Sequence, residues 1–130
     1  MSDDNKVLVV DDEPLIARSI ARMARMSDLE PTIARDGLEA WAQFEQRSIS
    51  WLMLITDIRM PRLDGLSLAR RVREAGNKLP IVFISGHSKP PDMEILSPAV
   101  FLAKPFRRAA LIEALGTFKA QAQSMRMDRA

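Results

Sequence analysis

Trp51-Leu52-Met53-Leu54-Ile55 is an unbroken apolar run that closes on Thr56-Asp57. A run this short cannot cross a membrane, and without polar alternation it reads as a strand buried on both faces of a parallel sheet. A lone carboxylate is costly to desolvate, so Asp57 belongs at the strand's carboxyl end, on the rim where open α/β sheets place their ligands. Taken alone, Asp57 could equally begin a turn, where Asp is common. The rest of the chain breaks the tie.

At 130 residues there is room for one domain with a single sizeable core. An apolar share of 47% and a charged share of 28% are those of a globular protein. The formal charge of +2, with no long block of one sign, gives nucleic-acid binding no compositional support. The polar start Met1-Ser2-Asp3-Asp4-Asn5-Lys6 is unlike a signal peptide, and no apolar run is long enough to span a membrane. Without cysteine there is no disulfide, thiol nucleophile or thiolate metal site, which fits a cytoplasmic location.

Other runs of the same kind lie on either side. Lys6-Val7-Leu8-Val9-Val10 ends in Asp11-Asp12-Glu13 and then Pro14, where acids able to cap amides and a first-turn Pro announce a helix. Ile16, Ile20 and Met23 form that helix's core stripe, with Arg18, Arg22 and Arg25 as a solvated face. Glu30-Pro31-Thr32-Ile33-Ala34 reads as an edge strand because of its Pro, and Asp36-Gly37 as a turn. Leu38, Trp41, Ala42 and Glu45 define a second helix, with Trp41 as packing. Leu66, Leu68, Ala69 and Val72 define a third, stopped by Gly76-Asn77. Leu79 to Ile84 is a buried strand ending in Ser85-Gly86-His87-Ser88. The stretch Lys89 to Pro98 is interrupted by prolines and has space for one or two helical turns at most. Ala99-Val100-Phe101-Leu102 is a last strand, followed by Lys104-Pro105-Phe106 and a helix marked by Leu111, Leu115 and Phe118. Residues 1–118 are read as one domain, and 119–130 as a polar, fraying tail.

Five alternations of strand and helix call for a doubly wound α/β fold with a five-stranded parallel sheet and right-handed crossovers. All the carboxyl ends then share one edge, which gathers Asp11, Asp12, Asp57, Ser85 and Lys104. Three adjacent carboxylates repel unless a cation joins them. With oxygen ligands only, and no Cys or His cluster, that cation is a hard divalent ion. Mg²⁺ fits, since it retains positions for water and phosphate oxygens, while Lys104 offers a point charge and Ser85 a hydroxyl.

Val9-Val10-Asp11-Asp12-Glu13-Pro14, Asp36-Gly37, Asp57 with Met60-Pro61 and Leu63-Asp64-Gly65, Ser85 after a β run, and Lys104-Pro105-Phe106 together resemble the receiver domain of bacterial two-component response regulators. The resemblance runs from about Lys6 to Phe118, and joint spacing gives it specificity that one Asp pair lacks. It implies the flavodoxin/CheY-like strand order 2-1-3-4-5 and a phosphoprotein in which Asp57 takes a phosphoryl group from a sensor histidine kinase or a histidine phosphotransfer protein. It implies Mg²⁺ held by Asp57, Asp12 and the main-chain carbonyl of Arg59, with Asp11 acting through water. Lys104 and Ser85 are the implied phosphate partners, Ser85 with Phe101 the implied switch, and the Lys104-Pro105 bond is implied to be cis. Kinase docking is implied near Leu15, Ile16 and Ser19 together with Pro105 and Phe106. Arg59 and His87 stand where the family tunes phosphate lifetime.

The segment between Ser85 and Phe101 is roughly one helical turn shorter than in a typical receiver, so a shortened fourth helix and an altered output face are expected. The leading function is a stand-alone phosphorylated switch, not an enzyme, that signals through an unknown downstream protein without direct nucleic-acid or membrane contact. A phosphate sink, a relay intermediate, and a receiver excised from a hybrid kinase or larger regulator are the alternatives. A Mg²⁺-dependent phosphohydrolase is weaker, because the acid it needs two residues after its nucleophile is replaced by Arg59. A flavodoxin-type carrier is opposed by Asp11-Asp12-Glu13, which would repel the flavin phosphate.

Overall fold

The computed structural model describes residues 5–128 other than 47 and 92, with side chains through residue 125. The polar start at residues 1–4 and the last two residues of the tail lie outside the described residues. Strands β1 (Lys6–Val10), β2 (Glu30–Ala34), β3 (Met53–Asp57), β4 (Ile81–Ser85) and β5 (Ala99–Ala103) are joined through helices α1 (Pro14–Met26), α2 (Gly37–Phe44) and α3 (Gly65–Glu74). After β5 comes α4 (Arg108–Asp128). The sheet is parallel throughout in the order β2-β1-β3-β4-β5, with Pro31 on an edge strand as expected.

Strand periodicity divides the core in two. Leu8, Val10, Leu54, Ile81 and Phe83 pack with Ala40 of α2 and Leu68, Ala69 and Val72 of α3. Val7, Val9, Met53, Ile55, Val82 and Ile84 pack with Ile20 and Ala24 of α1 and Leu111 and Leu115 of α4. Burial on both faces explains why these strands read as continuous apolar runs. Each fully buried large side chain contributes about 1.5–3 kcal/mol.

The helix faces differ from the expected stripes in detail. In α1 the buried residues are Ala17, Ile20, Ala21 and Ala24, and the longer Ile16 and Met23 flank them half-buried. Small residues let α1 lie close to the sheet. In α2 the core face is Gly37 and Ala40 with Trp41 and Phe44 beside it, whereas Leu38 and Ala42 are exposed. The α1 cap also differs: Glu13 is the N-cap residue but its side chain does not cap, and Asp11 Oδ1 accepts from the Glu13 amide at 2.9 Å. At the other end of α3, Gly76 (φ +86°) donates to Arg73 O and Asn77 N to Val72 O, the paired bonds of a glycine-terminated helix.

The shortened fourth helix is a single 3-10 turn, Met93–Leu96. Arg73 of α3 fastens it: Nε and Nη2 donate to the Leu96 carbonyl at 3.0 and 2.7 Å, and Nη2 also to Pro98 O at 3.1 Å. The tail expected to fray past Phe118 is instead helical to Asp128. Ala122 is buried, and Lys119 Nζ donates to the Ser27 carbonyl at the end of α1, 3.1 Å away. The Ala, Gln and Met residues of that stretch favour a helix once it has a surface to lie on.

Candidate functional site

Register puts the candidate residues together. Val10 pairs with Thr56, which sets Asp11 level with Asp57, and Asp57 pairs with Ile84, one residue before Ser85. Ser85 pairs with Ala103, and the next residue, Lys104, donates its main-chain amide to Ser85 O at 2.7 Å. Thus the sheet's own hydrogen bonds fix where each side chain starts.

One carboxylate oxygen from each of Asp11, Asp12 and Asp57 lies within 4.8 Å of the others. Asp11 and Asp57 are buried and Asp12 is exposed. Lys104 Nζ is 3.3 Å from Asp11 Oδ2 and 3.3 Å from Asp57 Oδ2. Asp57 Oδ1 accepts from the Ile58 amide at 2.8 Å, and Thr56 Oγ1 donates to the Asp57 carbonyl at 2.8 Å. Ser85 is buried, and its Oγ accepts from the His87 amide at 3.1 Å, which leaves the hydroxyl proton to donate elsewhere. Among the residues named from the sequence, Asp11, Asp57 and Lys104 are in direct contact and Asp12 joins the acid cluster.

Glu13 was missed. Its Oε1 is 3.5 Å from Lys104 Nζ, at the exposed mouth of the site. The signal was present as a third acid after the Asp pair, but its role as a helix start hid it. Nor does the sequence alone single out Arg62, which forms an ion pair with Asp36.

Phe101 is half-buried against the core under α2 and α3. The Lys104-Pro105 bond is cis, as the resemblance implied. Leu15, Ser19 and Pro105 are exposed, while Ile16 and Phe106 rest half-buried against the core under α1 and α4. His87 and Arg59 are exposed.

The electrostatics describe a site short of positive charge. Burial, and then the charge of Asp57, push the Asp11 carboxyl above its ordinary 3.8, against the pull of the Glu13 amide and of Lys104. Lys104 is partly desolvated, which lowers its pKa, but Asp11 and Asp57 outweigh this and hold it above its ordinary 10.5. The donor set fits a hard divalent ion: three carboxylates, no thiolate, and a single histidine outside the cluster.

A raised carboxyl keeps protons in the folded state that the unfolded chain has released, so its ionisation lowers stability as pH climbs from 3.8 through the raised value. Asp11→Asn keeps an acceptor for the Glu13 amide and removes one negative charge. In Mg²⁺-free buffer at neutral pH this variant is expected to melt higher, because the burial cost borne by the ionised carboxyl is gone. Its stability should also fall less between acid and neutral pH, and added Mg²⁺ should raise its Tm less than that of the wild type. Calorimetry checks all three. An unchanged or lower Tm without Mg²⁺ contradicts the charge account.

Comparison with known proteins agrees with this geometry. The family model of the response regulator receiver domain matches residues 7–116. The response regulator protein TmoT of Ectopseudomonas mendocina is 31% identical over 121 residues, 90% of this chain and 54% of that protein. The sensor histidine kinase RcsC of Salmonella typhimurium is 31% identical over 87 residues, 67% of this chain and 9% of that one. The chain therefore spans about half the length of the first relative and a small part of the second. The Thermotoga maritima response regulator TrrA, solved in complex with Mg²⁺-BeF, superposes with a TM-score of 0.78 at 26% identity, covering 88% of this chain and 98% of that one.

Proposed function

From the premise that this chain belongs to the response regulator receiver domain family, we propose that it is a signalling phosphoacceptor whose acceptor is Asp57. The observation that carries this reading is the Lys104 ammonium set between Asp11 and Asp57, beside an acid cluster able to hold a divalent ion. Asp12, Asp57 and the Arg59 carbonyl would hold Mg²⁺ directly and Asp11 through water; when bound, the ion neutralises charge on the transferred phosphoryl group.

The chain's own groups do the rest. An Asp57 oxygen forms the new O–P bond while the bond from phosphorus to the donor's imidazole nitrogen breaks, its electron pair leaving on the imidazole, which takes a proton from solvent. No general base is required, because the nucleophile is a carboxylate. Lys104 neutralises the arriving phosphoryl oxygens and Ser85 donates its hydroxyl to one of them, so catalysis is positioning and charge. Drawing Ser85 inward vacates space for Phe101, a packing event, since phenylalanine brings no hydroxyl. The donor is a sensor histidine kinase or a histidine phosphotransfer protein, docking at Leu15, Ile16, Ser19, Pro105 and Phe106 in a cytoplasmic setting. The output passes to another protein, as a switch, a sink or a relay step. Among the described residues no helix is long and apolar enough to cross a membrane.

The test mixes the full chain with acetyl phosphate, with and without Mg²⁺, and follows intact mass; a parallel sample with beryllium fluoride is followed by NMR. One added phosphoryl group that requires Mg²⁺, and shifted Phe101 ring resonances, are expected. No adduct under any condition overturns the reading, and an unmoved Phe101 removes it from the switch.

A further inference from the structure

The loop between β3 and α3 is fastened at both ends and along its side. Gly65 N donates to Ile58 O at 2.7 Å, closing the loop on itself. Its flank is docked on the amino end of α2. Arg62 Nε and Nη2 lie 2.9 and 2.7 Å from Asp36 Oδ2, and the Leu63 carbonyl occupies the space where a side chain on Gly37 would stand. Asp36 works in two directions, because its Oδ1 accepts from Glu39 N at 2.9 Å and so caps α2. Burial alone would raise the Asp36 carboxyl, but the Glu39 amide and the Arg62 guanidinium outweigh it and hold the group below its ordinary 3.8.

Arg62 reaches this contact from an unfavourable backbone. Its φ is +71° and Leu63 N donates to Pro61 O at 2.9 Å across it, a γ-turn whose strained backbone costs a residue other than glycine about 1–3 kcal/mol. Glycine would remove that cost, so what arginine offers here lies in its side chain. As an ion pair with one half-exposed partner the contact adds little to global stability, at most about 1 kcal/mol. Its leverage lies in where it pulls. The loop's first amide, Ile58 N, holds Asp57 Oδ1 at 2.8 Å, and the loop carries Arg59. Slack at Arg62 therefore reaches the acid cluster through the main chain.

We propose that Asp36 and Arg62 are positioning residues for the acid pocket: their ion pair, with the Gly37 and Leu63 contact beneath it, fixes the loop leaving Asp57 and so sets the pocket's affinity for a divalent cation. This rests on the reading of the pocket as a Mg²⁺ site. Groups hydrogen-bonded directly to a metal ligand change affinity by about 10–100-fold; this pair acts one step further out, through the main chain, so the low end of that range is expected.

The experiment titrates Mg²⁺ into the wild-type 130-residue chain, Arg62→Gln, Arg62→Lys and Arg62→Gly with no phosphoryl donor present, following the amide shifts of Ile58 and Gly65 by NMR. Amides of β1 and α4 report that each variant is folded. Arg62→Gln and Arg62→Gly are expected to bind Mg²⁺ about tenfold more weakly, and Arg62→Lys to recover part of the loss. Arg62→Gln binding as tightly as wild type overturns the latch. So does Arg62→Gly alone matching wild type, because backbone conformation would then be the whole effect. A wild type with no saturable Mg²⁺ shift overturns the Mg²⁺ reading itself, an outcome distinct from failure of the latch.

Discussion

Asp57→Asn is expected to abolish the phosphorylated species while making the unphosphorylated protein more stable. A carboxamide oxygen is a poor nucleophile, and no other step in the proposed transfer can substitute for the missing carboxylate. The fold should not suffer. The asparagine oxygen can still accept from Ile58 N, the bond now made at 2.8 Å by Oδ1, and Lys104 retains Asp11 and Glu13. Removing one of two buried, adjacent negative charges also lifts the lesser of the two effects that raise Asp11; burial, the larger, stays, so that carboxyl should move only part of the way back toward its ordinary range. Loss of function with gain of stability separates a removed nucleophile from a damaged fold. Intact mass after acetyl phosphate treatment, beside a thermal melt in Mg²⁺-free buffer, reads both. Labelling at the wild-type level in Asp57→Asn would move the acceptor to another residue, with Asp11 or Asp12 next in line by distance.

What could be read in advance depended on which forces act along the chain and which act across it. Strand runs and their polar endings are local, so the parallel order and the gathering of Asp11, Asp57, Ser85 and Lys104 at one edge were legible from residue pattern once all the strands ran the same way. The prolines between Ser85 and Phe101 act locally too, and the single 3-10 turn follows from them. The faces of α2 were less legible. Leu38 and Ala42 fit an apolar stripe as well as Ala40 and Phe44 do, and it is tertiary contact, Gly37 against Leu63 and Ala40 against the core, that goes with the second set. The course of α4 past Phe118 depends on Ser27 and the core beneath Ala122, both far away in sequence. Glu13 and Arg62 were hidden for the same reason. Each sits in a stretch with a sufficient local explanation, a helix start and a turn, while its partners Lys104 and Asp36 come from other loops.

Gly65→Ala is expected to damage both the fold and the acceptor site. A Cβ at Gly65 would overlap the Asp57 carbonyl oxygen and lie 3.0 Å from both the Asp57 carbonyl carbon and the Ile58 Cα. All three are main-chain atoms of the strand end that carries the acceptor, so no flexible side chain can give way. Nor can residue 65 retreat without cost, since its amide donates to Ile58 O at 2.7 Å and Asp64 caps α3 through Ser67 N at 2.8 Å. Forced overpacking of this kind costs about 3 kcal/mol, which for a domain this size lowers Tm by about 10 °C. Relief by displacing the Asp57 main chain would carry its carboxylate away from Lys104, and misplacement by about 1 Å is enough to slow transfer about a hundredfold. Gly116→Ala in α4 is the matched control. A Cβ there meets nothing within 4 Å, and alanine in a helix interior is favoured over glycine by about 1 kcal/mol, so this variant should melt higher and be phosphorylated normally. Urea unfolding of the two variants, with phosphorylation rates from acetyl phosphate, reads the contrast. Equal stability and equal rates for Gly65→Ala and wild type would mean that α3 does not abut the acceptor strand as closely as the Asp57 carbonyl and Gly65 lie here.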